Sequence, residues 1–529
     1  MKKFERLRHI RYFSNSLRNL PKQYSSADTN RITLVYFSIQ ALDILGCIPD
    51  AGCCGKVNEE IYLLREEIIE WIYGLQTLPT LVVNKSPGRS EDDGRRSGES
   101  SSSSSSSDTA SRSYVGGGFK GGTYLGPLPN ASGVSINNDD ENDDKQQQQQ
   151  KPSLIEQLQQ HPYDHSHIAM TYVAICTLLT LGDDLSRIHK TAILQTLKAL
   201  QKEDGSFVAI SSNDRNPESA TSPAGEGEEK LIVEEKVDDD CDLRFMYLTI
   251  AIWYLLTDQN SNSSNNNDDD DEDPYINIQS ATSYILSCIS YDGSIGLTPG
   301  REGHGGSTFC GTASLHLLGT LDASMARREL RGWKEDLIRW CVMRQRSLPK
   351  RDEKENEEER TSQNGYYYHD WDKYAAGMQG RPNKLQDTCY SYWIGGTLHM
   401  MNESHVLDGW ALRDYVLTCQ SPYGGFGKVV GANPDLLHSF YTLCWLAMSR
   451  DQACCEEEYD DEDGNEGEER ICGGIENNDS GGKKFSGHDG EIKEQVHESL
   501  GRLSQLDCAL GICTKRIPGI PKAVMDGND

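Results

Sequence analysis

The chain has 529 residues, and its 52 Lys and Arg against 82 Asp and Glu give a formal net charge of −30. A balance this acidic argues against sequence-independent nucleic-acid binding and against anionic lipid surfaces, since both would repel it. Hydrophobic residues make up 36% and mean hydropathy is −0.62. No apolar run approaches the roughly 18 residues that a membrane-crossing helix needs. The opening stretch from Met1 to Arg8 is basic like a signal peptide but is not followed by an apolar core. The expected location is therefore the cytoplasm.

Apolar residues recur at helical spacing over 31–45, 167–181, 185–201, 243–256, 278–290, 311–321, 330–344, 387–401, 407–419 and 436–448. Strand alternation is scarce. A short glycine loop with an aromatic or apolar residue recurs between helices, as Gly117-Gly118-Phe119, Asp204-Gly205-Ser206-Phe207, Asp292-Gly293-Ser294-Ile295 and Gly424-Gly425-Phe426. This is an internal repeat of helix pairs. Helix pairs that must bury both ends close naturally into an all-α toroid, an α/α barrel. An open helical solenoid is the alternative.

Between these helices lie six polar, low-complexity segments, 85–113, 135–151, 212–240, 258–273, 346–376 and 451–494. The four most acidic of them, 135–151, 212–240, 258–273 and 451–494, together carry a net −29. Without all six, 363 residues remain with a net charge near +1. The segments are expected to be disordered surface inserts, because they lack the apolar area to offset the entropy of ordering. Acidic docking loops on a helical scaffold are the non-enzyme alternative. One domain over 1–529 is expected, with its core at about 4–450. The 16 cysteines are scattered through apolar helical runs, which points to reduced thiols used as small core residues.

The densest polar segment of the framework runs from Gly380 to Trp393 and holds Asp387 and Cys389 at a predicted helix start. Pro434-Asp435-Leu436-Leu437-His438 opens a later helix. A carboxylate, a thiolate and an imidazole suit a catalytic zinc with one open position. Spacing alone equally allows Asp387 to be an N-cap and His438 a satisfied polar group. Arg381, Lys384 and Arg244, together with His304 in a glycine-rich helix start, suit an anion such as a diphosphate. A solvated basic face is the plainer reading. The Asp183-Asp184 pair precedes a helix and is read as a cap.

Three segments together resemble the β subunits of protein prenyltransferases, with the greatest likeness to the type I geranylgeranyl branch. They are Glu302-Gly-His-Gly-Gly-Ser-Thr-Phe-Cys-Gly311, Gly380-Arg-Pro-Asn-Lys384 with Asp387-Thr-Cys-Tyr-Ser-Tyr-Trp393, and Gly424-Gly-Phe426 with Pro434-Asp-Leu-Leu-His438. The likeness extends from about residue 4 to 450 and is loose beyond. It implies a heterodimer with a separate α subunit. It implies transfer of geranylgeranyl from its diphosphate to the cysteine of a C-terminal CaaX sequence, preferably ending in Leu, on small GTPases of the Rho and Rac type. It implies zinc on Asp387, Cys389 and His438, and diphosphate contacts from His304, Arg381, Lys384 and Tyr390.

The resemblance also places Thr33, Tyr247 and Trp393 at the lipid cavity and His167 and Arg244 near the peptide's C-terminus. Lys428 stands where the farnesyl enzyme has a magnesium-binding Asp, so magnesium is expected to be dispensable. Thr33 stands where that enzyme has a bulky Trp, which implies room for a longer lipid. Farnesyltransferase and Rab geranylgeranyltransferase β subunits are the alternatives within the family. The insert 346–376 interrupts segments that are nearly contiguous in the family, so it must leave the barrel without disturbing Arg381 and Lys384.

Overall fold

The computed structural model of the chain describes residues 2–24, 26–48, 59–77, 80–84, 111–115, 117–122, 166–209, 241–257, 275–346, 376–450 and 500–518. The six polar inserts lie outside these residues, apart from 111–113, Arg346 and Ala376. The helices are α1 (Arg6–Arg18), α2 (Arg31–Ile44), α3 (Glu59–Tyr73), α4 (Ile168–Thr180), α5 (Lys190–Leu200), α6 (Leu243–Leu256) and α7 (Ile278–Ser287). They continue as α8 (Gly305–Leu317), α9 (Leu321–Met325), α10 (Trp333–Val342), α11 (Cys389–Met400), α12 (Gly409–Thr418) and α13 (Leu436–Met448). Short antiparallel pairings, β1 (Gln76–Thr77) with β4 (Gly118–Phe119) and β2 (Thr80–Asn84) with β3 (Ser111–Val115), connect early elements. Residues 111–113 of the first insert thus belong to a strand.

Helices α2, α4, α6, α8, α11 and α13 are buried along most of their length. Their sequences are apolar almost all the way round, and such a helix must be covered on every side. Each packs on the next in that order, and α13 packs back on α2. This closure makes the architecture an α/α barrel rather than an open solenoid. The anticipated helix at 311–321 starts six residues earlier, at Gly305, and ends at Leu317. The glycines there hid the helical signal, but His304 caps its first turn by accepting the Gly306 N–H at 3.0 Å. Helices α1, α3 and α9 are additions to the anticipated set.

The recurring glycine loop has a common construction. After the outer helix the chain makes an antiparallel bridge, Gln201 to Phe207, Ile289 to Ile295 and Gln420 to Phe426. Gln76 pairs with Phe119 in the same way. These three glutamines, and Gln345 of the bridge to Met378, also clamp the backbone where the next outer helix begins. Their Oε1 atoms accept the N–H groups of His189, Asn277, Asp408 and Glu5, at 2.9, 2.8, 3.0 and 3.0 Å from Gln76, Gln201, Gln345 and Gln420. The amide nitrogens donate to nearby carbonyls of Arg187, Asn277, Asp408 and Lys3. Each clamp satisfies a helix-start N–H that has no intrahelical partner. The Gln420 clamp joins the last repeat to the first and so forms the seam of the ring. Inside the turn, Gly205, Gly293 and Gly424 have φ of +90°, +87° and +94°. A Cβ on Gly424 would stand 2.2 Å from the Arg8 carbonyl oxygen, so only glycine fits there.

The insert 346–376 leaves from one of these turns. Gln345 bridges Met378, Arg346 N–H donates to Gly377 at 3.1 Å, and Gln379 N–H donates to Arg344 at 2.9 Å. The bridge closes beneath the insert, and the Arg381 segment follows from an ordinary repeat turn. Asp183 and Asp184 accept the N–H groups of Leu185 and Ser186 at 2.8 and 2.9 Å, as local caps. Among the described residues the cysteines are all buried and none is in a disulfide, which matches the reduced-thiol reading.

Residues 500–518 pack against the ring. Strands β5 (Leu506–Asp507) and β6 (Ile512–Cys513) form a hairpin, and Leu503, Cys508, Ala509, Leu510 and Ile517 are buried with it. Arg516 makes a two-pronged ion pair with fully buried Asp43 of α2, at 2.6 and 3.1 Å.

Candidate metal centre and anion funnel

The barrel gathers the N-termini of its inner helices at one rim. His167, Asp242, His304 and Asp435 are the N-cap residues of α4, α6, α8 and α13, and Cys389 opens α11. Helix N-termini present unpaired N–H groups and a positive dipole end, so a ring of them favours anions.

Asp387, Cys389 and His438 converge there, with their ligand atoms all within 4.8 Å of one another. Asp387 is held by its N–H on Met378 at 2.9 Å, and its Oδ1 accepts the Cys389 N–H at 3.0 Å. Thr388 ties the same turn to the Lys428 loop, with its N–H on the Lys428 carbonyl at 2.9 Å and its hydroxyl on the Gly427 carbonyl at 3.0 Å. Asp435 does two jobs. One oxygen accepts the His438 N–H at 2.9 Å as a helix cap, and the other lies 2.6 Å from His438 Nδ1. A proton on Nδ1 points at Asp435, so Nε2, 3.3 Å from Asp387, is the nitrogen left to bind a metal once its own proton is shed.

The donor set fits a zinc ion, with one oxygen, one sulfur and one nitrogen converging and a carboxylate orienting the imidazole. Protonation in the bare cluster shows the same thing in reverse. Burial pulls the His438 pKa down, but Asp387 and Asp435 outweigh it and carry the imidazole up to about 9. Burial and the Asp387 charge push the Cys389 thiol well above its usual range. Burial raises Asp387, and its hydrogen bonds to His438 and Cys389 more than offset this, leaving it below the usual carboxylate value. Cys389 and His438 are poised to exchange their protons for a cation beside an Asp387 that is already ionised.

Beside the triad a polar funnel of about 1370 Å³ is lined by Asp242, Arg244, Arg301, Glu302, His304 and Arg381 among others. His304 Nδ1 accepts from Gly306, so Nε2 carries the proton and donates to the Tyr390 hydroxyl at 2.8 Å. That leaves the Tyr390 O–H proton free to point at a bound anion. Burial, then the Arg381 charge, keeps the His304 imidazole below its usual pKa. Gly380 makes the approach possible, since a Cβ there would stand 2.1 Å from the Tyr390 ring. Arg381 is paired with Glu302 at 3.2 Å and both remain partly exposed. Lys428 Nζ stands 3.4 Å from Asp387, so this amine sits at the edge of the triad.

The funnel continues into an apolar arm of about 130 Å³, with Tyr247, Leu248, Trp393 and Tyr441 common to both. Thr33, Phe37, Tyr172, Tyr392, Leu510 and Gly511 also line the arm. Thr33 therefore lines the arm, with its hydroxyl 3.7 Å from the Met170 sulfur. Two of the anticipated residues stand apart, and a third is engaged by its own helix cap. Lys384 is exposed and is not among the funnel's lining residues. His167 caps α4, accepting the Ala169 N–H at 3.1 Å, and its ring meets Phe245 edge-on. Arg244 lines the funnel, but its guanidinium is paired with Asp242, its own helix cap, at 2.6 Å.

Sequence reasoning missed Asp435, Glu302, Tyr172, Tyr441 and the 508–511 turn. Asp435 carried a readable signal, an acid three residues before His438 at a helix start. Tyr441, one turn after His438, follows from helical spacing. The 508–511 turn has no such signal, because it reaches the arm only through the tertiary fold.

A prenyltransferase α-α toroid domain profile matches residues 4–510, so the chain belongs to that family. Its curated relatives include the type-1 geranylgeranyl transferase β subunit of Arabidopsis thaliana, 29% identical over 85% of this chain and 86% of that protein. The corresponding subunit of Dictyostelium discoideum is 27% identical over 83% of this chain and 89% of its own length. A solved structure of Candida albicans protein geranylgeranyltransferase-I complexed with GGPP shares the fold, with a TM-score of 0.55, 20% identity and 97% of both chains covered. The resemblance read from the motifs is thereby borne out for the family and for its type I geranylgeranyl branch. The matched region reaches past 450 to take in the turn at 508–510.

Proposed function

We propose that this chain is the catalytic β subunit of a zinc-dependent protein geranylgeranyltransferase of type I. It would pair with a separate α subunit in the cytoplasm. It would transfer geranylgeranyl to the cysteine of CaaX sequences, preferably ending in Leu, on small GTPases of the Rho and Rac type. The observation that carries this reading is one continuous site: the Asp387, Cys389 and His438 triad, then the cationic funnel, then the apolar arm beside Thr33.

Asp387, Cys389 and His438 would hold the zinc, with Asp435 orienting His438. Zinc bound there lowers the pKa of the incoming peptide thiol so that it reacts as a thiolate. The rest is performed by the chain's own groups. The apolar arm takes the lipid and excludes water from its length. A C–S bond forms at the lipid's first carbon as its C–O bond to diphosphate breaks, and the thiol proton passes to solvent. Arg381, the Tyr390 hydroxyl backed by His304, and Lys428 neutralise the charge gathering on the leaving diphosphate. They stabilise the transition state more than the bound ground state. With a lysine amine in place at Lys428, magnesium is not required. Lys384 would join them by turning inward from its exposed position.

The test is transfer by the purified heterodimer, loaded with zinc and free of magnesium, to a peptide ending Cys-a-a-Leu. An intact, zinc-loaded heterodimer that transfers no lipid refutes the proposal. Cys389→Ala and His438→Ala should each abolish zinc retention and activity together. Thr33→Trp should shift preference from geranylgeranyl toward farnesyl diphosphate. An unchanged preference removes Thr33 from the lipid assignment.

A further inference from the structure

A preference for one lipid length needs a wall that the far end of the lipid meets. Most of the apolar arm's lining comes from the inner helices, through Thr33, Tyr172, Tyr247 and their neighbours. Leu510 and Gly511 are the exception, since they belong to the turn between β5 and β6 near the end of the chain. Three of the arm's own tyrosines hold this turn from three different helices. Tyr392 of α11 donates its hydroxyl proton to the Cys508 carbonyl at 2.9 Å. Tyr247 of α6 donates to the Ala509 carbonyl at 2.7 Å, and Tyr172 of α4 donates to the Leu510 carbonyl. Each ring lines the arm while its hydroxyl pins the floor. All three tyrosines are buried, so their hydroxyls need these partners.

We infer that the hairpin is a fixed end wall and that Leu510 is a specificity-determining residue for lipid length. The inference rests on the reading of the arm as the lipid site. All three tyrosine bonds end on main-chain oxygens, so changing the Leu510 side chain leaves the pins in place and alters only the volume of the arm. Leu510 is fully buried, so a change in its side chain is taken up inside the fold and not toward solvent. Gly511 is unsuited to this role. Its φ is +66°, and a Cβ would stand 3.1 Å from the Tyr392 hydroxyl, so any side chain there strains the turn itself. Thr33 and Leu510 then act on different walls: Thr33 leaves space beside the lipid, and Leu510 ends it.

The experiment compares kcat/KM for farnesyl, geranylgeranyl and geranylfarnesyl diphosphates in the zinc-loaded heterodimer, for wild type, Leu510→Phe and Leu510→Ala. Ratios between lipids within one variant cancel any loss of folded enzyme. Leu510→Phe should lower the geranylgeranyl-to-farnesyl ratio by about tenfold or more, the discrimination that a methylene-scale change in an apolar pocket supports. Leu510→Ala should raise the geranylfarnesyl-to-geranylgeranyl ratio by a similar factor. If Leu510→Phe does not fold, the Leu510→Ala ratio still decides. Ratios unchanged from a wild type that does transfer geranylgeranyl overturn the inference. A wild type that transfers none of the three lipids overturns the proposed function instead.

Discussion

Replacing Arg516 by methionine should release the C-terminal hairpin from the ring. Asp43 is wholly buried and receives Arg516 through Nη2 at 2.6 Å and Nε at 3.1 Å. The same Nη2 also donates to the Ile48 carbonyl at 3.1 Å. Methionine keeps much of the side chain's length and apolar contact but removes the charge and every one of these bonds. Asp43 is then left with Lys515, whose Nζ stands 3.4 Å away and is partly exposed. Breaking one side of a buried ion pair costs about 3–5 kcal/mol, because the remaining charge stays out of water. At about 1.4 kcal/mol per tenfold, that is a more than hundredfold rise in the opening equilibrium of the segment it anchors. Hydrogen exchange of peptides covering 500–518 reads this directly. The amides of Gly511 and Thr514, bonded to the Asp507 and Gln505 carbonyls, are the reporters, and α8 peptides are the internal reference. The double change Asp43→Leu with Arg516→Met removes both charges and should recover most of the loss. Exchange of the hairpin in Arg516→Met within about threefold of wild type would refute the clasp. So would a double variant more open than the single one.

Gln420→Ala removes the seam bonds to Glu5, Lys3 and His9 and leaves the Glu5 N–H without its clamp, at a cost of about 1–3 kcal/mol. Limited proteolysis should then cut first within residues 2–18, whereas Gln201→Ala should leave that end as protected as in wild type. His9 is buried between the Phe4 and Phe426 rings, and burial lowers its pKa to about 4. Its unfolded value is about 6.5, so the unfolded chain takes the proton first. Its contribution is complete above pH 6.5 and is lost as pH falls toward 4. His9→Gln should flatten that part of the stability profile in thermal unfolding, and a profile parallel to wild type counts against the assignment. Asp435→Asn keeps a capping oxygen but loses the charge on His438 Nδ1, so zinc affinity should fall about 10- to 100-fold. Competition with a chromophoric chelator measures it, and affinity in wild type should rise with pH as Cys389 and His438 shed their protons.

Much of this molecule was legible before any contact was known. The inner helices announced themselves through apolar residues at helical spacing, and α6 and α13 lie where that spacing put them. Helical spacing put Asp387 and Cys389 at one helix start and His438 at another, and the family resemblance joined them as one donor set. The start of α8 was not readable, because helical Gly305 is explained only by the Tyr390 ring beside it, which a Cβ would meet at 3.0 Å. Lys384 and His167 show the opposite limit: position in a motif names a residue, but the direction of its side chain depends on neighbours from other helices.

The sequence by itself determines helix placement and the repeat, because each is written in spacings of a few residues, and its motifs name the metal-type donors through the family resemblance. Only the tertiary structure decides that the ring closes, through the Gln420 clamp on a backbone 415 positions away. It alone decides that the hairpin at 506–513 packs on the ring and brings Leu510 and Gly511 to the apolar arm, held by Asp43 and Arg516 across 473 positions. Contacts at that range leave no local periodicity. They exist because a ring of apolar helices must bury both its seam and its open end, and whichever part of the chain covers them is chosen by packing.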